Sequence, residues 1–430
     1  MENRKFYLLV LIGTIIQLLF YLGTNTYVFS ILGIGVLFGA SLFLRPFEAL
    51  CIFSFLLSNQ RIIVLNQGSA SLLNLVVFIL IFRLLSANKY YLQSRIIINA
   101  IAILVYSSLL IFIHEDTSLL VTSFKFLITV SLFFYMGNQI LKEDRYTSIK
   151  LLNSYICGAV CAGVLGVIFE GVNLGTERFS AGDYNNSNIL GTSFSFALTL
   201  LVVLFNRKKQ SLKLTLLLGL PLLFFGFLTQ SRSFLLAIAI LALYLIISNF
   251  SVKGIIVSVV SLGLIFLLKD VLNLTFLNRI FDNAIMRVLE PKNDDLSGGR
   301  TELWIGYLNQ FFSDTKTLFF GKGFELTHEK YGFPQVAHNF IIETVAAMGV
   351  IGLVLYITLF SGFYFNIKKN FSLRNIPLEL FIPLFVLLSN NMTGHSFINI
   401  GFSFQFVLWV ILIGFCQSTF KKEISITEKL

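Results

Sequence analysis

Of the polar runs that interrupt this largely apolar chain, four carry residue types able to do chemistry. The first reads Glu177-Arg178-Phe179-Ser180-Ala181-Gly182-Asp183-Tyr184-Asn185-Asn186-Ser187-Asn188 and leads directly into an apolar stretch. The second, Gln230-Ser231-Arg232-Ser233, is the whole connection between two apolar stretches. A guanidinium in so tight a turn is costly unless it faces water, a partner or a substrate; alternatively, Arg232 snorkels to lipid headgroups. The third is Ser297-Gly298-Gly299-Arg300-Thr301-Glu302-Leu303-Trp304. Glycines ahead of a helix let a ligand approach its first backbone N–H groups, and a helix N-terminus favours anions, so Gly298, Gly299 and Arg300 suit a phosphate. Gly-Gly is equally an ordinary turn signal. The fourth, Ala337-His338-Asn339-Phe340, is followed by Glu343, Gly349 and Gly352. Imidazole suits proton transfer near neutral pH, although a lone histidine beside a helix end is commonly a solvated or capping residue.

These runs lack a clear Asp-x-Asp pair, so a nucleotide-sugar site bridged by a divalent metal is not supported, and neither a metal nor a cofactor is expected. Cys51, Cys157, Cys161 and Cys416 fall in or beside apolar spans, where a cysteine is ordinarily a small buried hydrophobe. Cys157 and Cys161 share a helix face without a nearby His or Asp, which argues against a metal site and implies no disulfide framework.

The elements that must position these residues follow from composition. Of the 430 residues, 56% are hydrophobic and only 13% charged, which places most of the chain in lipid and excludes a soluble globular domain. Backbone groups in lipid must be satisfied within the segment, so the expected fold is all-α, a polytopic transmembrane bundle of about fourteen spans, twelve at the least. The weakest span, 47–65, is interrupted by Asn59, Gln60 and Arg61. Others include 118–137, which holds Lys125, 254–269 and 338–365. The first apolar stretch lacks a small-residue cleavage site and reads as a retained helix.

Alternating connections hold most of the 32 basic residues, among them Arg4, Lys5, Arg45, Arg207, Lys208, Lys209, Lys368, Lys421 and Lys422. By the positive-inside rule both termini are cytoplasmic and all four polar runs lie outside, as do His328 and His395, while His114 ends a nearly featureless loop. The net charge of +10 then reflects topology and anionic inner-leaflet lipid, and needs no nucleic-acid partner. The long connection 270–337 is external. Trp304, Tyr307, Leu308, Phe311 and Phe312 recur at helical spacing in it, and Leu277, Ile280, Phe281, Ala284 and Ile285 do so less cleanly. Such helices either lie in the membrane interface, roofing an outward cavity, or pack on their own bundle.

The ordered runs resemble the O-antigen ligase/polymerase family. The resemblance is carried by Thr229-Gln230-Ser231-Arg232-Ser233, then Gly299-Arg300-Thr301-Glu302-Leu303-Trp304, then Leu318-Phe319-Phe320-Gly321-Lys322-Gly323-Phe324, and finally His338-Asn339 with Gly349 and Gly352. The loop from Arg178 to Asn188 looks like the one that precedes this region in the family. The likeness spans roughly residues 175–365 of what reads as one membrane domain over 1–430. It implies glycosyl transfer on the external face of the bacterial cytoplasmic membrane from an undecaprenyl-diphosphate-linked oligosaccharide, with a chain-length regulator and a flippase as partners. Breaking the bond from sugar C1 to diphosphate develops negative charge that guanidinium forks stabilise, the role expected of Arg232 and Arg300, with Arg178 a weaker third. Asn188, Gly299, Glu302, Asn339 and Glu343 are supporting residues.

The resemblance implies His338 as the base that takes the acceptor hydroxyl's proton. Among the external acids, Glu177 and Glu302 lie within two residues of an arginine that would hold them ionised, whereas His338 opens a helix whose dipole favours a neutral imidazole. Two activities fit. A polymerase, the favoured reading, joins one lipid-linked oligosaccharide to another; a ligase moves the glycan to lipid A core or another acceptor. A transporter or flippase is the competing class, favoured by Lys125 but opposed by the lack of a repeat and by polar candidates gathered on one face.

Overall fold

The computed structural model describes residues 2–60, 62–64, 71–86, 94–114, 145–170, 179, 187–248, 300–323, 327–334, 337–370, 378–391 and 404–413. Every regular element among them is helical. In order these are α1 (Glu2–Asn25), α2 (Tyr27–Phe43), α3 (Pro46–Leu56), α4 (Leu73–Ser86), α5 (Ser94–His114), α6 (Arg145–Glu170), α7 (Ser187–Asn206), α8 (Leu212–Leu228) and α9 (Arg232–Ser248). There follow α10 (Arg300–Ser313), α11 (Thr315–Phe320), α12 (Thr327–Lys330), α13 (Phe340–Asn370), α14 (Ile382–Asn391) and α15 (Phe404–Ile413). Among the described residues four segments are long and apolar enough to cross a membrane, Arg4–Asn25, Ser148–Phe169, Ser187–Asn206 and Phe340–Gly362, and seven further apolar helices are shorter. Residues 57–59 form a 3-10 turn after α3, so the interrupted span 47–65 is a short helix with a buried polar end. The spans 118–137 and 254–269, Lys125, the helix from Leu277 to Ile285, His395, Cys416 and the C-terminal lysines lie outside the described residues.

The core of the bundle is set by close backbone approach, as expected where lipid offers no hydrophobic drive between helices. A Cβ on Gly158 would lie 1.9 Å from the Phe55 carbonyl, so α3 and α6 touch there through their backbones. α15 is apolar almost all round and every one of its residues is buried, the pattern of a helix enclosed by others. Its Phe404 ring meets Phe53 edge-on, Phe406 meets Phe360, and Trp409 stacks on Tyr364. Its one polar side chain, Gln405, donates to the Tyr155 hydroxyl on α6 at 2.7 Å, and Asn390 on α14 donates to Ser195 on α7 at 2.8 Å. Interhelical hydrogen bonds of this kind contribute about 0.6 kcal/mol each.

The two ends of the bundle differ in chemistry. At one end Arg207, just past α7, pairs with Glu379, which also accepts from the Tyr244 hydroxyl of α9 at 2.6 Å. Trp409 donates to the carbonyl of neighbouring Leu380 at 2.6 Å, and Tyr364 of α13 stacks on that indole. α7 and α13 thus end, and α14 begins, at the Arg207 end, while Tyr244, about 18 Å along α9 from Arg232, meets the same cluster. The starts of α7, α9 and α13 therefore share the opposite end. The described parts of the four polar runs, Phe179 with Ser187 and Asn188, Gln230–Ser233, Arg300–Trp304 and Ala337–Phe340, lie at that end.

Candidate functional site

The first part of the site is built into the bundle. Ser187–Asn206 begins α7 with Asn188 in its first turn, and the Thr192 hydroxyl donates to the Asn188 carbonyl at 2.9 Å. The α8–α9 connection, 229–231, packs directly on this turn: a Cβ on Gly191 would come within 2.8 Å of Ser231 Cβ. The connection holds itself together. Thr229 donates its hydroxyl to Gly226 O at 2.6 Å, Ser231 and Ser233 share a hydrogen bond of 2.7 Å, and Gln230 sits at φ +47°, a backbone conformation L-residues rarely adopt. Arg232 is the first residue of α9; its side chain, like Arg178, Gly298 and Gly299, lies outside what the structure describes. Phe179 is buried against this corner, its N–H donating to Leu228 O at 3.2 Å and its ring stacked on Phe225.

The second part is built from the long connection. Arg300 is the first described residue of α10, and Glu302, two residues on, is exposed. Trp304 donates from its indole to the Ala337 carbonyl at 2.7 Å, which sets the first turn of α10 against the turn that holds His338. The stripe on α10 resolves into two faces. Leu303, Tyr307 and Phe311 are buried against Tyr331, Phe333 and the start of α13, whereas Ile305, Leu308 and Phe312 are exposed. Packing on its own bundle thus accounts for the inner face, because the spacing i, i+4, i+8 through Leu303 selects it, and Leu308 and Phe312 belong to the other side. Burial raises the Tyr307 and Tyr331 phenols well above their ordinary pKa, so both are un-ionised hydrogen-bonding groups at neutral pH.

His338 does not open the helix. α13 begins at Phe340 and its N-cap is Asn339, which is buried and whose side-chain oxygen accepts from Ile341 N at 3.0 Å and Ile342 N at 3.3 Å. His338 precedes the cap at φ +51°, partly exposed, with its backbone N–H donating to Glu343 Oε1 at 2.8 Å. The arrangement is a capping box displaced by one residue: Asn339 and Glu343 together fix the backbone of His338. Glu343, expected as a supporting residue, has one oxygen committed to that bond.

The expected continuous span 338–365 is broken. Gly349 sits at φ +69°, ψ −179°, a conformation open essentially to glycine alone, and divides α13 into a half-helix 340–348 and a longer second part. The Leu318–Phe324 run explains the break. Gly321, at φ +68°, turns the chain so that Lys322 N donates to Ala346 O at 2.8 Å and Gly323 N to Ala347 O at 3.0 Å. A Cβ on Gly349 would lie 2.0 Å from Phe319 O, so the two backbones touch. The Tyr331 hydroxyl adds a bond to Ala346 O at 3.0 Å, and the Lys322 ammonium lies 4.2 Å over the Tyr331 ring while bonding Gln310 at 3.2 Å. The Lys322 cation is therefore a strut of this fold.

Two participants escape sequence reasoning. The Tyr106 hydroxyl lies 2.7 Å from Met348 O and 3.0 Å from Phe319 O, and His114 Nε2 lies 3.2 Å from Phe320 O, so the end of α5 is no featureless loop start. A tyrosine within an apolar span was the available signal for the first. Among the described residues no three His, Cys, Asp or Glu side chains group as a metal site requires.

No curated protein matches the chain. Residues 214–357 match the family described as O-antigen ligase, a stretch that runs from α8 into α13 and contains Arg232, Arg300, His338, Asn339, Glu343 and Gly349 but not Arg178 or Asn188. That match supports an O-antigen ligase/polymerase family assignment for this membrane chain, whose described elements are all helical.

Proposed function

We propose that the protein transfers glycan from an undecaprenyl-diphosphate-linked oligosaccharide on the outer face of the bacterial cytoplasmic membrane, extending a surface polysaccharide. The observation that carries this reading is that Arg232 is the first residue of α9 and Arg300 heads the described part of α10, at the bundle end shared by His338. A cation at a helix N-terminus, as Arg232 is, opposes the macrodipole, and an anion beside the guanidinium relieves that conflict. A diphosphate fits that demand. Of the described non-glycine residues at positive φ, Gln230 and His338 both fall in the turns of this site, and unusual backbone conformations of this sort gather where function over-determines them.

The reaction follows from these groups. The acceptor hydroxyl attacks sugar C1, its proton passes to the His338 imidazole, and the C1–O bond to diphosphate breaks with the electron pair leaving on the phosphate oxygen. Arg232 and Arg300 stabilise that charge through charge-assisted forks, and Arg178 supports them. Asn339 and Glu343 position His338, while Asn188, Gly299 and Glu302 line the two helix starts. The lipid diphosphate reaches the site sideways from the bilayer, with the exposed apolar face of α10 toward the interface. Both chain termini are then cytoplasmic.

The ligase reaction is favoured by the description of the matched family, and polymerisation by the notion that a second lipid-linked oligosaccharide suits the same two-arginine site. Purified protein in bilayers, given the lipid-linked oligosaccharide alone or with a lipid A core acceptor, separates them. A ladder of lengthening products without the second acceptor is the expected result. Transfer only to the lipid A core establishes the ligase, and movement of the lipid across the bilayer with no new glycosidic bond overturns both in favour of a transporter.

A further inference from the structure

The half-helix 340–348 carries Asn339 and Glu343, the two side chains that fix His338, yet it is cut off from the rest of α13 at Gly349. Its direction must be set from outside. Four donors meet the carbonyls that end it: Lys322 N and the Tyr331 hydroxyl at Ala346 O, Gly323 N at Ala347 O, and the Tyr106 hydroxyl at Met348 O. The first three belong to the connection between α11 and α13 itself. Tyr106 belongs to α5, whose Ile103 and Leu110 are buried in the main core.

α5 runs antiparallel to α13 across the break and touches it on both sides. Asn99 donates to Thr358 O at 3.4 Å beyond the break, Tyr106 meets Met348 O at the break, and His114 meets Phe320 O past it. The Tyr106 hydroxyl has one proton and two carbonyls, Met348 O and Phe319 O, within 3.0 Å, so it draws the end of α11 and the end of the half-helix onto the same point. We propose that α5 is a splint across the broken helix and that Tyr106 is a positioning residue for His338, acting through the half-helix. This rests on the reading of His338 as the base.

The test is a double-mutant cycle on purified protein in bilayers containing undecaprenyl-diphosphate oligosaccharide, with kcat and KM measured for Tyr106→Phe, His338→Asn and the pair. Asn tolerates the left-handed backbone that His338 adopts. Tyr106→Phe should lower kcat roughly 10- to 100-fold with KM for the lipid moved by less than about threefold, since displacement of a catalytic group costs turnover rather than binding. In the His338→Asn background the same change should cost nothing further, because its effect passes through the lost imidazole. Hydrogen exchange gives a readout independent of turnover: Tyr106→Phe should speed exchange in 341–348 and leave 353–362 unchanged. Parental kcat for Tyr106→Phe, or a second full loss in the double variant, overturns the splint while leaving His338 as base. Parental kcat for His338→Asn removes the base and the splint's purpose with it.

Discussion

The two arginine-bearing helix starts are built in opposite ways. Arg232 begins α9 inside the bundle, where the α8–α9 connection makes its own hydrogen bonds and lies so close to Gly191 of α7 that a Cβ there would come within 2.8 Å of Ser231 Cβ. Arg300 heads the described part of α10 in the long connection between α9 and α13, and its relation to His338 depends on Trp304 bonding Ala337, on Lys322 and Gly323 gripping the carbonyls before the break at Gly349, and on Tyr106 from a helix about two hundred positions earlier. One start is placed by local chain geometry and the other by a chain of distant contacts. The first should tolerate small changes; the second should fail sharply when a single link is cut.

The largest expected effect lies at the end of that chain. His338→Asn should keep folded, membrane-inserted protein and donor binding but lose roughly 10²- to 10⁴-fold in transfer, the usual contribution of a general base. Its residual rate should no longer follow the titration near pH 6 to 7 expected of an imidazole, measured as kcat against pH from 5 to 9. A residual rate that still titrates there would shift the role to Glu343.

Next come the glycines, which compare the two regions directly. Gly349→Ala places a Cβ 2.0 Å from the Phe319 carbonyl at a φ of +69°, against backbone that has nowhere to go, so it should cost at least about 1–3 kcal/mol and collapse the α11–α13 clamp. Gly191→Ala brings its Cβ to 2.8 Å from Ser231 Cβ in ordinary helix, so the 229–231 turn must give way, but no left-handed backbone strain is added to that cost. Thermal unfolding in detergent should therefore fall clearly more for Gly349→Ala. Equal losses would mean that the bundle corner is as brittle as the clamp.

Smaller still is Asn339→Ala, which removes two cap bonds at the start of α13 and should cost about 1 kcal/mol. Asp314, which caps α11 by bonding the Thr317 hydroxyl and Lys316 N, gives the smallest effect. Its carboxyl is held below the ordinary carboxylate range, chiefly by the Thr317 hydroxyl. The stabilisation is complete above the unfolded carboxylate pKa and is lost as pH falls through the lowered folded value, so unfolding of wild type and Asp314→Asn should differ equally at pH 6 and pH 8. A difference that changes between those values would place another group at this cap.

What was legible in the sequence follows the same division. Apolar run length marks the helices, and the tightness of Gln230–Ser233 marks where α9 begins, because each is a local property of backbone and solvent. The break in α13 was not legible, since Gly349 within an apolar run reads as a tolerated small residue until Phe319 O is seen against it. The pairing of His338 N with Glu343 and the reach of Tyr106 and His114 to α11 are tertiary facts with no periodic signature. The α10 stripe was half legible: Tyr307 and Phe311 fall on the packed face, and Leu308 and Phe312 do not, because the register depends on which neighbour the helix finds.

The central claim is that two guanidiniums at helix starts hold the lipid diphosphate, and it is tested most directly by replacing each with the other long cation. Arg232→Lys and Arg300→Lys keep the charge but lose the planar fork, so transfer from undecaprenyl-diphosphate oligosaccharide by purified protein in bilayers should fall at least about tenfold for each, with folded yield unchanged. Parental rates for both lysine variants would show that neither arginine forks the diphosphate, and would contradict the account.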